Sequence, residues 1–359
     1  MKKYLMLVLG IAVASLATVS CSLDDDDDSD PVVDPSTIGV YILNSGKWGS
    51  NNSELTHYDP VSGTVSTGVF EIANGKKMGD TGNDMLIYGS KLYIAMNGSA
   101  VVFVTDLKGN ILGEVVAKGE SSNYSPRQMT AANGKVYVTY AEGYVGAIDT
   151  TSYAVKTAAV GPYPEGIACV NGKLYVAITD GNNYPNYENK VQVLDPASLV
   201  VKKEIEVSYN PQTFHYAGSG QMYLVSWGNY AEIPAKLQKI DIATDKVTDI
   251  EGIAPTNMVL GNADKGYILS TVYDENWNSV TKFFIFDIAT DSIDGELVSP
   301  QLVPNGYSIA VDPVSGNVYI GSSDYINNGD MYIVSAAGEV LKKFDTGAIN
   351  PYKVCFARN

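Results

Sequence analysis

The closing stretch 350-NPYKVCFARN-359 is the opening half of a hairpin whose second strand never arrives. Elsewhere in the chain a short apolar strand opened by proline leads at once into a strand of fixed pattern. Thus 126-PRQMTAA-132 precedes 135-KVYVT-139, 164-PEGIACV-170 precedes 173-KLYVA-177, and 211-PQTFHYA-217 precedes 221-QMYLV-225. The other terminus has the complementary defect, since 39-GVYIL-43 carries the fixed pattern with no such strand before it. A spare strand at one end and a missing one at the other predict that the two pair and close a ring of repeats, which removes the sheet edges that otherwise invite aggregation.

The fixed pattern also appears as 91-KLYIA-95, 265-KGYIL-269 and 317-NVYIG-321, which aligns Tyr41, Tyr93, Tyr137, Tyr175, Tyr223, Tyr267 and Tyr319. Neighbouring tyrosines lie 38 to 52 residues apart, the length of a propeller blade. After each comes a loop, then a strand ending in aspartate, as in 191-VQVLDPAS-198, 237-LQKIDIAT-244 and 283-FFIFDIAT-290, then a turn and a last strand such as 200-VVKKEIEV-207. That makes four strands per unit, a to d from the centre outward. The expected fold is all-β: a seven-bladed β-propeller over residues 38–359, closed by pairing of the C-terminal strand with the N-terminal blade. The 25 tyrosines and 34 glycines, with few long charged residues, suit strands and turns.

The N-terminus reads differently. Lys2 and Lys3 precede an apolar run from Leu5 to Val19, too short to span a bilayer comfortably and flanked like a secretory signal. Residues 1–20 are expected to be that signal. Residues 21–37, with 22-SLDDDDDSD-30, are expected to form an acidic tether, because a run of like charges cannot collapse. Calcium binding by this run is not expected, since a floppy acidic chain has no preformed cage. The net charge of -16 falls to -11 beyond residue 34, and no basic stripe interleaves with aromatics, so nucleic acid is not an expected partner. Cys169 and Cys355 sit in apolar strand patterns and read as small hydrophobes.

In a blade so arranged, the b–c and d–a connections emerge on one face and the a–b and c–d turns on the other. The a–b turns are short, whereas most b–c loops are long and varied: 44-NSGKWGSNNS-53, 179-TDGNNYPNYEN-189, 226-SWGNYAEIPA-235, 272-VYDENWNSV-280 and 321-GSSDYINNG-329. They hold all three tryptophans, Trp48, Trp227 and Trp277, together with Tyr184, Tyr187, Tyr230, Tyr273 and Tyr325. Rings among Asn, Gly and Ser have the composition of a recognition surface, so these eight residues are the expected ligand-binding set. The alternative for any single ring is an inter-blade plug. The starts of the a strands (Asn83, Arg127, Gln128, Glu165, Gln212, Asn257, Tyr307, Tyr352 and Lys353) should give the channel mouth a polar floor, with Arg127 the cation for an amide or phosphate group.

No nucleophile elbow, phosphate-cradling loop, haem motif or zinc spacing is present, and His57 and His215 read as strand residues. The recurring aspartates Asp59, Asp106, Asp149, Asp195, Asp241 and Asp287 read as turn formers. An enzyme and a resident cofactor or metal are therefore not expected; a channel-centred hydrolase or lactonase is the alternative.

The segment 134-GKVYVTYAEGYVGAIDTTSYAV-155 resembles the YVTN-type repeat of YncE-like propellers. The stretch 18-TVSC-21 resembles a bacterial lipobox, implying lipid on Cys21, and the acidic run after it resembles the export signal of surface lipoproteins of Bacteroidetes. The alternative is an ordinary signal peptide with an incidental cysteine. Lipobox, acidic tether, seven blades and a tyrosine-rich face together resemble BtuG-type cobalamin-binding propellers. That resemblance implies an outer-membrane, cell-surface lipoprotein anchored by lipid only, with a corrinoid as transported ligand and a TonB-dependent transporter as partner. A glycan-binding or adhesive surface propeller is the other reading of the same loops.

Overall fold

The computed structural model describes residues 35–273 and 279–359, with the side chain of Tyr273 excepted. Their strands form seven four-stranded antiparallel sheets. In blade 1 the inner strand is Pro351–Arg358, followed outward by Thr37–Asn44, Glu54–Tyr58 and Val65–Ser66, so the last strand of the chain completes the first blade as expected. Val40 pairs with Phe356 and Ile42 with Val354 across this seam. The inner strands of blades 2 to 7 are Gly82–Tyr88, Pro126–Ala132, Pro164–Val170, Pro211–Tyr216, Asn257–Leu260 and Gly306–Val311. Each contacts the inner strands of both neighbours, and the circuit returns to Pro351–Arg358. At Gly166 the approach is so close that a Cβ would collide with the Gln212 carbonyl oxygen, which is why glycine stands there.

The seven tyrosines of the repeat lie in seven different apolar clusters, one for each gap between adjacent blades. Each ring therefore leaves its own sheet and packs on the next. Several hydroxyls also reach the c–d turn of that next blade: Tyr41 Oη donates to the Leu107 carbonyl at 2.6 Å, Tyr175 Oη to Asp245 at 3.2 Å and Tyr223 Oη to Asp291 at 2.5 Å. The lysine two residues earlier shares the face of the strand by its period of two. Lys91 Nζ donates to the Thr150 carbonyl at 2.8 Å and Lys173 Nζ to Ile242 at 2.8 Å, again on the following blade. The motif K-x-Y is thus the stitch from blade to blade. Burying each ring stabilises the ring of blades by about 2 kcal/mol; the hydroxyls of Tyr41, Tyr175 and Tyr223 find partners without breaking a ladder, whereas that of Tyr93 is buried with no partner among the described residues.

The recurring aspartates do form turns. Asp59, Asp149, Asp195, Asp241 and Asp287 accept hydrogen bonds from the Ser or Thr hydroxyl three residues on and from backbone N–H groups two or three residues on, which together hold each carboxyl below its usual range. One short helix, Val69–Asn74, lies in the connection from blade 1 to blade 2 and has no signal in the repeat. The free thiols of Cys169 and Cys355 are half-buried, and burial pushes the latter up to about 12.

Candidate functional site: the channel mouth and its aromatic rim

Strand a starts on the face that carries the b–c loops, and in six blades it starts with a bulge. Gly82 pairs with Met96 but Asp84 with Ala95; Pro211 with Ser226 but Thr213 with Val225; Gly306 with Ser322 but Ser308 with Gly321; Pro351 with Asn44 but Lys353 with Leu43. Blades 3 and 4 slip in the same way between Pro126 and Met129 and between Pro164 and Ile167. A bulge leaves one residue out of the ladder and re-aims its side chain. Proline, with no N–H to lose, suits the residue before it. The re-aimed positions are Asn83, Arg127–Gln128, Glu165–Gly166, Gln212, Tyr307 and Tyr352, and they ring the mouth of the channel.

These side chains form a belt. Arg127 Nε and Nη2 donate to Glu165 Oε2 and Oε1 at 2.8 and 2.9 Å, a bidentate pair in which the carboxylate is 4% exposed. Burial works against the guanidinium's charge, but Glu165 outweighs it and holds Arg127 more firmly protonated than usual. Gln128 Nε2 donates to Glu165 Oε1 and to the Gln212 carbonyl, and Asn83 Nδ2 to the Arg127 carbonyl. On the blade 1 side, Lys353 Nζ lies 2.8 Å from Asp84 Oδ1, while Met129 N donates to Asp84 Oδ2. Nearly half of the Lys353 side chain meets solvent although protein surrounds it, as befits a group facing the channel. Burial there raises the lysine's cost of charging, and Asp84 more than restores it, so its pKa is raised.

Two sets of rings border the belt. From blades 7 and 1, Tyr325 meets Tyr307 edge-on at 5.5 Å, and Tyr307 lies 5.9 Å from Tyr352, a ladder from rim to mouth. From blades 4 and 5, Tyr184, Tyr187 and Tyr230 meet edge-on at 6.3 and 6.0 Å. Beneath them the ring of Tyr163 underlies the Arg127 guanidinium at 5.4 Å. Such a mouth, with apolar walls and a hydrogen-bonding floor, is suited to a bulky amphipathic molecule.

Residues 38–346 match the family described as Domain of unknown function (DUF5074). The chain belongs to the DUF5074 family. Similar solved structures include a protein from Lactobacillus plantarum, at 14% identity over 90% of this chain and 100% of that one, with a TM-score of 0.58. Apo AztD from Citrobacter koseri shares 12% identity over 90% and 99% of the two chains with a TM-score of 0.57. Kuenenia stuttgartiensis hydrazine synthase shares 18% over 70% and 76%, with a TM-score of 0.56. At these identities the likeness is one of fold. No curated protein matches this sequence.

In this DUF5074 propeller the expected ligand-binding residues divide. Trp48, Tyr184, Tyr230 and Tyr325 stand exposed on the b–c face, Trp48 by 69%. Tyr187 is half-buried between two of them. Trp227 takes the plug position instead of standing open: it is half-buried in the apolar cluster between blades 5 and 6, and its Nε1 donates to the Thr256 carbonyl at 2.8 Å. Arg127 is at the mouth as expected, but locked onto Glu165. Trp277 and Cys21 lie outside the described residues, and Tyr273 is described only as the end of strand Lys265–Tyr273. Sequence reasoning passed over Asp84 and Tyr163. A tyrosine between two prolines in 162-PYP-164, at the entry to an inner strand, is the signal that could have found the second.

His215 lies on the inner strand of blade 5 with Thr213 Oγ1 at 3.0 Å from Nε2, and burial lowers its pKa to about 3. Among the described residues no group of three or more His, Cys, Asp and Glu gathers as a metal cage. A concavity of about 660 Å3 lies elsewhere: a groove of Ile253, Ile268, Val272, Val280 and Phe284 beside the long hairpin of blade 6. It offers Lys282 and Ser270 against otherwise apolar walls, whereas the mouth gathers donors and acceptors from six blades, so the mouth is the better candidate site.

Proposed function

We propose that this propeller is a lipid-anchored protein of the outer-membrane surface. It captures a bulky amphipathic ligand, a corrinoid such as cobalamin, across the channel mouth and passes it to a TonB-dependent transporter. The observation that carries capture at this face is backbone strain. Tyr163, Tyr230 and Tyr325 hold φ of 43°, 56° and 62°. A bulky residue in the left-handed region is a genuine outlier costing on the order of 1–3 kcal/mol, and such strain gathers at ligand clamps. A fourth tyrosine of this kind, Tyr153 (φ 60°), lies on the other face, where its ring packs on Gly113 and under Lys91. Tyr230 and Tyr325 are 60% and 57% exposed on the b–c face, each meeting a neighbouring tyrosine edge-on.

The corrinoid and the transporter come from the resemblance to BtuG-type propellers; the apolar walls and hydrogen-bonding floor support them. Thr37 begins the first strand at the a–b face, where its Oγ1 donates to Asp312 in an a–b turn. Binding is favoured over catalysis because both mouth carboxylates, Glu165 and Asp84, are already committed to cations. Glycans are the second reading, favoured by Tyr184 standing among the exposed Asn182, Asn183 and Asn186.

Titration with cyanocobalamin, followed by tryptophan fluorescence, tests this reading. Saturable quenching at or below micromolar ligand is expected. Absence of quenching removes the corrinoid, and quenching by oligosaccharides in its place supports the second reading.

A further inference from the structure

The belt at the mouth has an unusual distribution of unspent hydrogen-bonding atoms. Three side-chain amides have their NH2 ends tied down: Asn83 to the Arg127 carbonyl, Gln128 to Glu165 and the Gln212 carbonyl, and Gln212 to Asn210 Oδ1. Their oxygens, Asn83 Oδ1, Gln128 Oε1 and Gln212 Oε1, accept no hydrogen bond from the described residues and are not sealed from solvent. The two cations are the converse. Arg127 spends Nε and one Nη2 hydrogen on Glu165, which leaves the Nη1 hydrogens over, and Lys353 spends one of three hydrogens on Asp84. Their carboxylates are each 4% exposed and lie behind them. The floor therefore presents donors and acceptors side by side and carries no net charge.

We infer that the mouth reads carboxamides and rejects carboxylates of the same shape; this rests on the ligand-capture reading above. A carboxamide brings one N–H2 and one C=O, and can satisfy an amide oxygen and a cation together. A carboxylate brings acceptors only. It would face the lone pairs of Asn83, Gln128 and Gln212, leaving them unsatisfied as they are desolvated, at a cost comparable to lost hydrogen bonds. Arg127 and Lys353 offer it no free countercharge, since Glu165 and Asp84 already balance them, and the chain as a whole is acidic. Sites built to hydrogen-bond one group reject its mismatched analogue strongly, because buried polar atoms are left unpaired.

Calorimetric titration of the whole protein with cyanocobalamin, and with its separated monocarboxylic acids in which one peripheral carboxamide is hydrolysed, tests the inference at pH 7.5. At least one acid is expected to bind tenfold or more weakly than the parent amide. Glu165→Gln keeps an acceptor for Arg127 but unmasks its charge, so the penalty for that acid should shrink at least threefold. Asp84→Asn does the same for Lys353 and serves if the first variant fails to fold. Equal affinities of wild type for the amide and every acid would overturn the inference while leaving capture intact. Failure of cyanocobalamin itself to bind would overturn the capture reading, and this inference with it.

Discussion

Trp48 and Trp227 occupy equivalent b–c loops, yet replacing each with alanine should have opposite consequences. Trp227 is half-buried against the cluster of Val225, Ile250 and Met258, and its indole N–H satisfies the Thr256 carbonyl. Full removal of a buried tryptophan costs about 3–5 kcal/mol. Half burial brings that to about 2, and the carbonyl left without its donor adds about 1. Trp227→Ala should thus lose about 3 kcal/mol, and Trp227→Phe, which refills most of the space, about 1 kcal/mol. Trp48 is 69% exposed and belongs to no apolar cluster, so Trp48→Ala should stay within about 0.5 kcal/mol of wild type. Cyanocobalamin affinity should move the other way, falling at least tenfold for Trp48→Ala, as loss of an aromatic anchor does. Guanidinium unfolding followed by far-ultraviolet circular dichroism, with fluorescence titration of the folded variants, reads both. Comparable destabilisation by the two alanines would refute the division into plug and platform.

Deleting residues 350–359 removes the inner strand of blade 1, and the truncated chain should lose its cooperative melting transition while a peptide of that sequence added in trans restores part of it. Tyr230→Gly and Tyr325→Gly relieve left-handed strain while giving up edge-on contacts of similar size, so stability should change by less than about 1 kcal/mol as affinity falls; a loss above about 2 kcal/mol would mark these rings as structural. His215 has a folded pKa of about 3, below its unfolded value of 6.5. The unfolded chain therefore takes up a proton first, and stability present above pH 6.5 is lost as pH falls below it, by at most about 1.4 kcal/mol per pH unit before channel water reduces the figure. His215→Gln should flatten that slope, and an imidazole that titrates near 6.5 by NMR would contradict it.

Much of the fold could be read from the chain because its determinants are local and repeated. Each K-x-Y strand states its own period, and the stranded proline-opened segment at residue 351 states the closure. The aromatic face followed from topology alone, since strand order fixes which loops share a side. The mouth was less legible. Asn83, Gln212, Tyr307 and Tyr352 could be placed there as starts of inner strands, but how their side chains are aimed depends on bulges, and a bulge is a register relation between two strands that neither sequence shows. Trp227 and Trp48 lie in similar polar loops, and only the neighbouring blade, which supplies the Thr256 carbonyl, separates plug from platform. The pairing of Arg127 with Glu165 joins inner strands 38 residues apart and likewise exists only once two adjacent blades have docked.

Hydrogen–deuterium exchange with saturating cyanocobalamin addresses capture at this face most directly. Slower exchange is predicted in the b–c loops 45–53, 179–189, 227–235 and 323–329 and in the inner-strand starts at 82–84, 126–128 and 351–353, with the a–b turns at 133–134, 171–172 and 218–220 unchanged. Protection confined to those a–b turns, or none on either face, would contradict the account.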